Sequence, residues 1–132
     1  MKANVVWDKD LTFSGTTESG YKMVMDGEGK AVSPMESVLL ATGACSSIDV
    51  VEILKKGRFD IHHCECELEA ERAESAPKVF TKIIANYKVS GTQLTEKAVA
   101  RAVSLSAEKY CSVMLMLSGK VDIETRYEII EV

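Results

Sequence analysis

Apolar and polar positions along the chain change period several times, and each change marks an element. Residues 2–7 (KANVVW), 11–15 (LTFSG) and 20–26 (GYKMVMD) are short runs of β-branched, aromatic and methionine residues. Turn-forming clusters at Asp8-Lys9-Asp10, Ser19-Gly20 and Asp26-Gly27-Glu28-Gly29 separate them, so three strands are predicted. A helix follows. Ser33 is a good cap, Pro34 suits the first turn, and Glu36 stands three residues after Ser33 as a capping box requires. Gly57, after Lys55 and Lys56, is a plausible stop. Between these ends the helix is apolar on nearly every side, with Cys45 at its middle.

Strict alternation returns in residues 60–72 (DIHHCECELEAER). Ile61, His63, Glu65, Glu67, Glu69 and Glu71 fall on one face, predicted wet. His62, Cys64, Cys66, Leu68 and Ala70 fall on the other, predicted buried. A turn at Ser75-Ala76-Pro77 leads into residues 79–89, whose expected inner face is Val79, Ile83, Ala85, Tyr87 and Val89. Thr92 or Thr95 then caps a helix with Ala98, Val99, Ala102, Val103 and Ser106 at helical spacing. Continuation or a break near Tyr110-Cys111-Ser112 is left open. Residues 121–130 make a last strand, with Val121, Ile123, Tyr127 and Ile129 on one side. The order βββ-α-ββ-α(α)-β lacks alternating βαβ units and predicts an α+β fold with an antiparallel sheet. No repeat or linker interrupts it, so residues 1–132 are expected to form one domain.

A helix apolar all round must be covered all round. One sheet and one short helical segment give too little cover in a chain of 132 residues. A tight homodimer with the long helix in a shared core is therefore predicted, against the alternative that residues 95–118 cover it alone.

Composition narrows the function classes. The net charge is −4 and the pI about 5.2, which disfavours nucleic acid as a partner. Residues 1–10 lack the apolar core of a secretory signal. The stretch from Val38 to Leu54 carries Asp49 and Glu52 and is short for a membrane span. The cytoplasm is the expected compartment, with Cys45, Cys64, Cys66 and Cys111 reduced at rest.

The candidate chemistry is thiol chemistry. Cys45 and Cys111 each lie in or at a helix, among small or mixed neighbours (Gly43-Ala44-Cys45-Ser46-Ser47 and Lys109-Tyr110-Cys111-Ser112). A chain break before Cys111 would place it at a helix N-terminus, which favours a thiolate. Asp49, one turn beyond Cys45 on the same face, opposes ionisation there. His62, Cys64 and Cys66 share a strand face, but successive side chains stand about 6–7 Å apart, too far for one tetrahedral ion. Core packing is the expectation for them, and no metal or other resident cofactor is predicted.

The element order, the helix SPMESVLLATGACSSIDVV and the later segment LSAEKYCSVMLML together resemble the osmotically inducible protein C and organic hydroperoxide resistance superfamily, in its YhfA-like branch. The resemblance spans essentially the whole chain. It implies an intertwined homodimer with long central helices wrapped by sheets, and a bacterial oxidative-stress role. It also implies a thiol peroxidase in which Cys45 attacks the peroxide and Cys111 resolves it as a disulfide. An external thiol or dithiol would restore the pair, and bulky organic hydroperoxides would be the substrates. An alternative on the same fold is a module that binds a small apolar or electrophilic ligand at the dimer groove, or a thiol sensor. Two positions depart from the family pattern. Its peroxidase members place a glutamate directly after the helix proline, paired with an arginine from the N-terminal strands. Met35 follows Pro34 here, and no arginine precedes Arg58. Glu36, nine positions before Cys45, projects from the opposite helix face. Lys22 or Lys30 would be a poor stand-in for a bidentate arginine.

Overall fold

The structure is a computed structural model and describes residues 1–131. It is mixed α+β with two three-stranded sheets. The elements are β1 (Ala3–Lys9), β2 (Thr12–Thr17), β3 (Lys22–Asp26), α1 (Pro34–Lys56), β4 (Asp60–Arg72), β5 (Phe80–Thr92), α2 (Glu96–Leu105), a π-helical turn (Ser106–Tyr110), α3 (Ser112–Leu117) and β6 (Asp122–Ile129). They fall into two compact units, residues 1–39 and the residues from Leu40 onward.

The first unit is the antiparallel meander β1-β2-β3 and the start of α1. Register places Val5 against Gly15, Trp7 against Phe13, and Phe13 against Met25, so one face is apolar. That face is bare in the single chain: Val5, Trp7, Phe13 and Met23 are all exposed, Trp7 by 62%. The one deeply buried carboxylate of this unit, Asp26, is a feature the sequence reading missed. It accepts from the Thr12 hydroxyl and from the backbone N–H groups of Glu28 and Lys30, knitting the turn after β3. The Thr12 bond, then the Glu28 amide, hold its pKa below the ordinary carboxylate value. A lowered carboxylate stabilises the fold above the unfolded pKa, and that stability is lost as pH falls through the folded value. Asp26→Asn is therefore expected to lower stability at neutral pH and to flatten the loss of stability below about pH 4, read by denaturant titration across pH.

The capping box at the start of α1 forms as predicted. Ser33 N–H donates to Glu36 Oε1 at 2.9 Å and Glu36 N–H to Ser33 Oγ at 3.0 Å. At 23 residues α1 is long and apolar enough to cross a membrane by length and composition, contrary to the expectation that it is too short. Its face Thr42, Gly43, Ser46, Val50 and Leu54 is nonetheless buried within the protein, as in the core helix of a packed domain. Gly43 lets Leu68 of β4 come close: a Cβ there would lie 2.6 Å from a Leu68 methyl.

In the second unit, α1, α2 and α3 pack on one face of the sheet β4-β5-β6, around Val50, Leu54, Ala85, Tyr87, Val89, Val99 and Met114. The opposite face is polar and laced by cross-strand pairs, such as Lys88 with Glu67 at 2.6 Å and Asn86 with Glu128 at 2.7 Å. Thr95, rather than Thr92, caps α2, accepting from Ala98 N–H at 3.1 Å.

Three expectations are corrected. First, β6 pairs parallel to β5, so this sheet is mixed. The α2–π turn–α3 segment serves as the crossover that parallel neighbours require. Second, β4 carries an extra residue at His62, where Ile61 opposes Gly91 and His63 opposes Ser90. The bulge sends His62 to solvent and turns Ile61 onto the core. Third, an extra residue at Thr81 shifts the phase of β5, so Phe80 is buried and Val79 exposed. Gly91, at the first bulge, faces the Asp60 carbonyl so closely that a Cβ would collide with backbone. Gly91→Ala is expected to cost about 2 kcal/mol or more, measured as a lower denaturant midpoint.

Residues 95–118 do not cover α1 alone. Leu40 and Ile48 remain 61% and 60% exposed on its far side.

Candidate active site

Cys45 lies in the fourth turn of α1 and is half-buried, packed against the core. The question left open near residue 110 resolves as a break. The π turn ends α2, Cys111 adopts extended backbone (φ −74°, ψ 105°), and α3 starts at Ser112. Cys111 is fully buried and caps α3, its sulfur accepting from Met114 N–H at 3.4 Å. This break brings the two predicted site residues into one part of the core: Cys111 belongs to the buried cluster that Cys45 packs against, near enough for Cys45 to raise the Cys111 pKa. All four cysteines are free thiols.

The expectation of a thiolate at the helix start is corrected. Burial pushes the Cys111 thiol up to about 11. The Met114 and Val113 amides pull it down, as a helix N-terminus should, and the nearby Cys45 pushes it up again. Desolvation of a site with zero exposure outweighs two amide dipoles.

Beneath the thiols runs a buried chain of hydroxyls that the sequence reading did not single out. Tyr87 of β5 bonds the Ser46 hydroxyl; Ser46 Oγ lies 2.8 Å from Ser106 Oγ; and Ser106 Oγ donates to Asp49 Oδ2 at 3.0 Å. Tyr87, Ser46 and Ser106 are fully buried. Its one sequence signal is a small polar residue, Ser46, in the buried phase of α1 set by Thr42, Gly43 and Val50. Asp49 faces a cavity of about 550 Å³ whose lining includes Glu52, Lys56, Arg101, Leu105 and Tyr110. Neither Cys45 nor Cys111 lines this cavity; Asp49 stands one turn from Cys45 on α1, and Tyr110 precedes Cys111 in the chain.

The other candidates separate. Cys64 and Cys66 sit half-buried on the inner face of β4. Burial raises both, Cys66 to about 11, against a smaller downward pull from the nearby Ser47 and Tyr87 hydroxyls. The bulge removes His62 from their face; it bonds Asp60 and Thr92 instead, each at 3.2 Å. His63 bonds Glu65 at 3.1 Å. Glu36 is held in the capping box, and Lys30 pairs with Asp10 at 3.0 Å. At pH 7 a thiol at 11 holds about a hundredfold less thiolate than an ordinary one at 9.0. Cys66 and Cys111 are expected to alkylate at least about a hundredfold slower in the folded protein than after unfolding, read by mass spectrometry.

Comparison with known proteins matches residues 27–126 to the family of OsmC-like proteins, a span that contains both Cys45 and Cys111. The chain belongs to the OsmC-like family. It is 54% identical over 132 residues to Protein YhfA of Escherichia coli (strain K12), covering 98% of each chain. A hypothetical protein from Aquifex aeolicus VF5 has the same fold, with a TM-score of 0.90, 32% identity, and 98% and 95% of the two chains covered. The organic hydroperoxide resistance protein OhrB of Bacillus subtilis shares the fold at a TM-score of 0.65, with 16% identity and 97% and 98% covered. The resemblance noted in the sequence thus holds for the OsmC-like family and for its YhfA relatives.

Proposed function

We propose that this protein is a two-cysteine, thiol-dependent hydroperoxide reductase. The observation that carries the reading is the placement of Cys45 against the core cluster that holds a fully buried Cys111. Cys111 is fully buried and held protonated at neutral pH, whereas Cys45 is only half-buried, so Cys45 is the thiol a peroxide reaches first. The Cys45 thiolate attacks the terminal oxygen of ROOH: an S–O bond forms, the O–O bond breaks, and the leaving alkoxide takes a proton to become ROH. Cys111 then attacks the sulfenic sulfur. The S–S bond forms, the S–O bond breaks, and hydroxide leaves with the Cys111 proton as water. An external thiol or dithiol reduces the disulfide; no metal or bound cofactor takes part. The names of related proteins, such as the hydroperoxide resistance protein of Bacillus subtilis, point to organic hydroperoxides as the substrate class.

The working form is a homodimer in the cytoplasm. Leu40 and Ile48 of α1 and the apolar face of β1-β2-β3 are the surfaces a second copy covers. One observation favours the alternative of a sensor or ligand-binding module. Glu36 is tied into the capping box and Met35 occupies the position after Pro34, so the family's activating carboxylate is missing. A hydroperoxide assay with a dithiol reductant separates the two. The reductase turns over peroxide and loses turnover in Cys45→Ser; a binding module shows none in either form.

A further inference from the structure

Two buried serines and a carboxylate tie the segment carrying one thiol to the helix carrying the other. Ser46 directly follows Cys45 on α1, and Ser106 opens the π turn that ends at Cys111. Ser106 Oγ reaches three polar atoms of α1: it lies 2.8 Å from Ser46 Oγ, and its single proton is shared between Asp49 Oδ2 at 3.0 Å and the Ser46 carbonyl at 3.2 Å. Its own carbonyl accepts the Cys111 N–H at 2.7 Å. The path from Cys45 to Cys111 through these atoms is therefore short and fully bonded.

We propose that Asp49, Ser106 and Ser46 are positioning residues, a clamp that pins the π turn to α1 and so holds Cys111 against Cys45. The inference rests on the two-thiol reading above and adds the residues that make the pair work. The physical case has three parts. Hydroxyls buried without partners are costly, and a pair of apolar residues would fill the same space with little loss, so a bonded serine pair in a core trades stability for geometry. A π turn widens the helix by one residue and is used where a side chain must be re-aimed; here it aims the next residue, Cys111. Disulfide formation depends steeply on the relative placement of the two sulfurs, because it draws on effective concentration. Tyr87 bonds Ser46 from the sheet side and lies outside the clamp, since its hydroxyl bonds neither Ser106 nor Asp49. The charged groups that line the cavity with Asp49 are Glu52 and Lys56 on α1 and Arg101 on α2; Tyr110 on the π turn adds a neutral hydroxyl.

The test is the equilibrium constant of the Cys45–Cys111 disulfide against dithiothreitol, measured beside thermal unfolding. Ser106→Ala and Asp49→Ala are expected to lower the constant by about tenfold or more. Ser106→Ala changes no charge, so its effect is placement rather than field. Asp49→Asn keeps an acceptor oxygen and is expected to stay within about threefold of the natural protein. Tyr87→Phe is expected to lower the melting temperature and leave the constant unchanged. If Ser106→Ala fails to fold, Asp49→Ala carries the test, because Asp49 is only half-buried at the cavity rim. Unchanged constants in Ser106→Ala and Asp49→Ala overturn the clamp and leave the two-thiol cycle standing, as does an equal loss in Tyr87→Phe. A natural protein that forms no Cys45–Cys111 disulfide overturns the cycle and the clamp together.

Discussion

Cys45→Ser is expected to reduce dithiol-dependent hydroperoxide turnover to background, a loss on the order of a thousandfold or more, as when a covalent catalyst loses its nucleophile. Cys111→Ser is expected to behave differently. Its first turnover proceeds, and the cycle stops at Cys45 sulfenic acid because the resolving thiol is gone. A sulfenic-acid trap should then label Cys45 in Cys111→Ser far more than in the natural protein, where Cys111 competes from within the same core cluster. Slow turnover in Cys111→Ser through the external dithiol is consistent with this assignment; turnover surviving in Cys45→Ser is not.

The second large effect concerns assembly. Leu40 and Ile48 stand on the side of α1 that neither the sheet nor α2 and α3 cover. Each would contribute about 1.5–3 kcal/mol when buried, and a two-fold interface uses each twice. Leu40→Asp or Ile48→Asp is therefore expected to weaken the dimer by at least about 3 kcal/mol, more than a hundredfold in Kd. Sedimentation velocity at micromolar concentration reads this directly. The natural protein should sediment as a dimer and the variants as monomers; a natural protein that sediments as a monomer removes the dimer from the account. The exposed Val5, Trp7, Phe13 and Met23 make the same point, since a contiguous apolar face open to water marks an interaction surface.

Elements with local signals were legible in the sequence, and those that depend on partners were not. The start and end of α1 came from Ser33, Glu36 and Gly57, and its capping box forms bond for bond. The Glu65-Glu67-Glu69-Glu71 face of β4 is exposed because strict alternation leaves it no other face. Alternation failed where an extra residue enters a strand, at His62 and Thr81, because a bulge is fixed by the partner's register and leaves no mark on its own strand. The direction of β6 was hidden for the same reason: a strand's sequence does not record whether its neighbour runs with it. At the site, motif spacing pointed to Cys45 and Cys111, and the fold brings them into one part of the core. The opposing pulls on Cys111 were only half visible. The helix start could be foreseen from the break, but the burial that outweighs it is set by Met114, Val99 and Tyr87, far apart in the chain. The Asp49–Ser106–Ser46 clamp was invisible because it joins residues about sixty positions apart through serines of no distinctive context.

The most direct test of the central claim is to add one equivalent of an organic hydroperoxide to the fully reduced protein, quench with an alkylating agent, and map every cysteine by mass spectrometry. The account predicts a Cys45–Cys111 disulfide as the main product, with Cys64 and Cys66 recovered as alkylated thiols. Recovery of Cys45 as an alkylated thiol, with the peroxide unconsumed or the oxidation on Cys64 and Cys66, would contradict it.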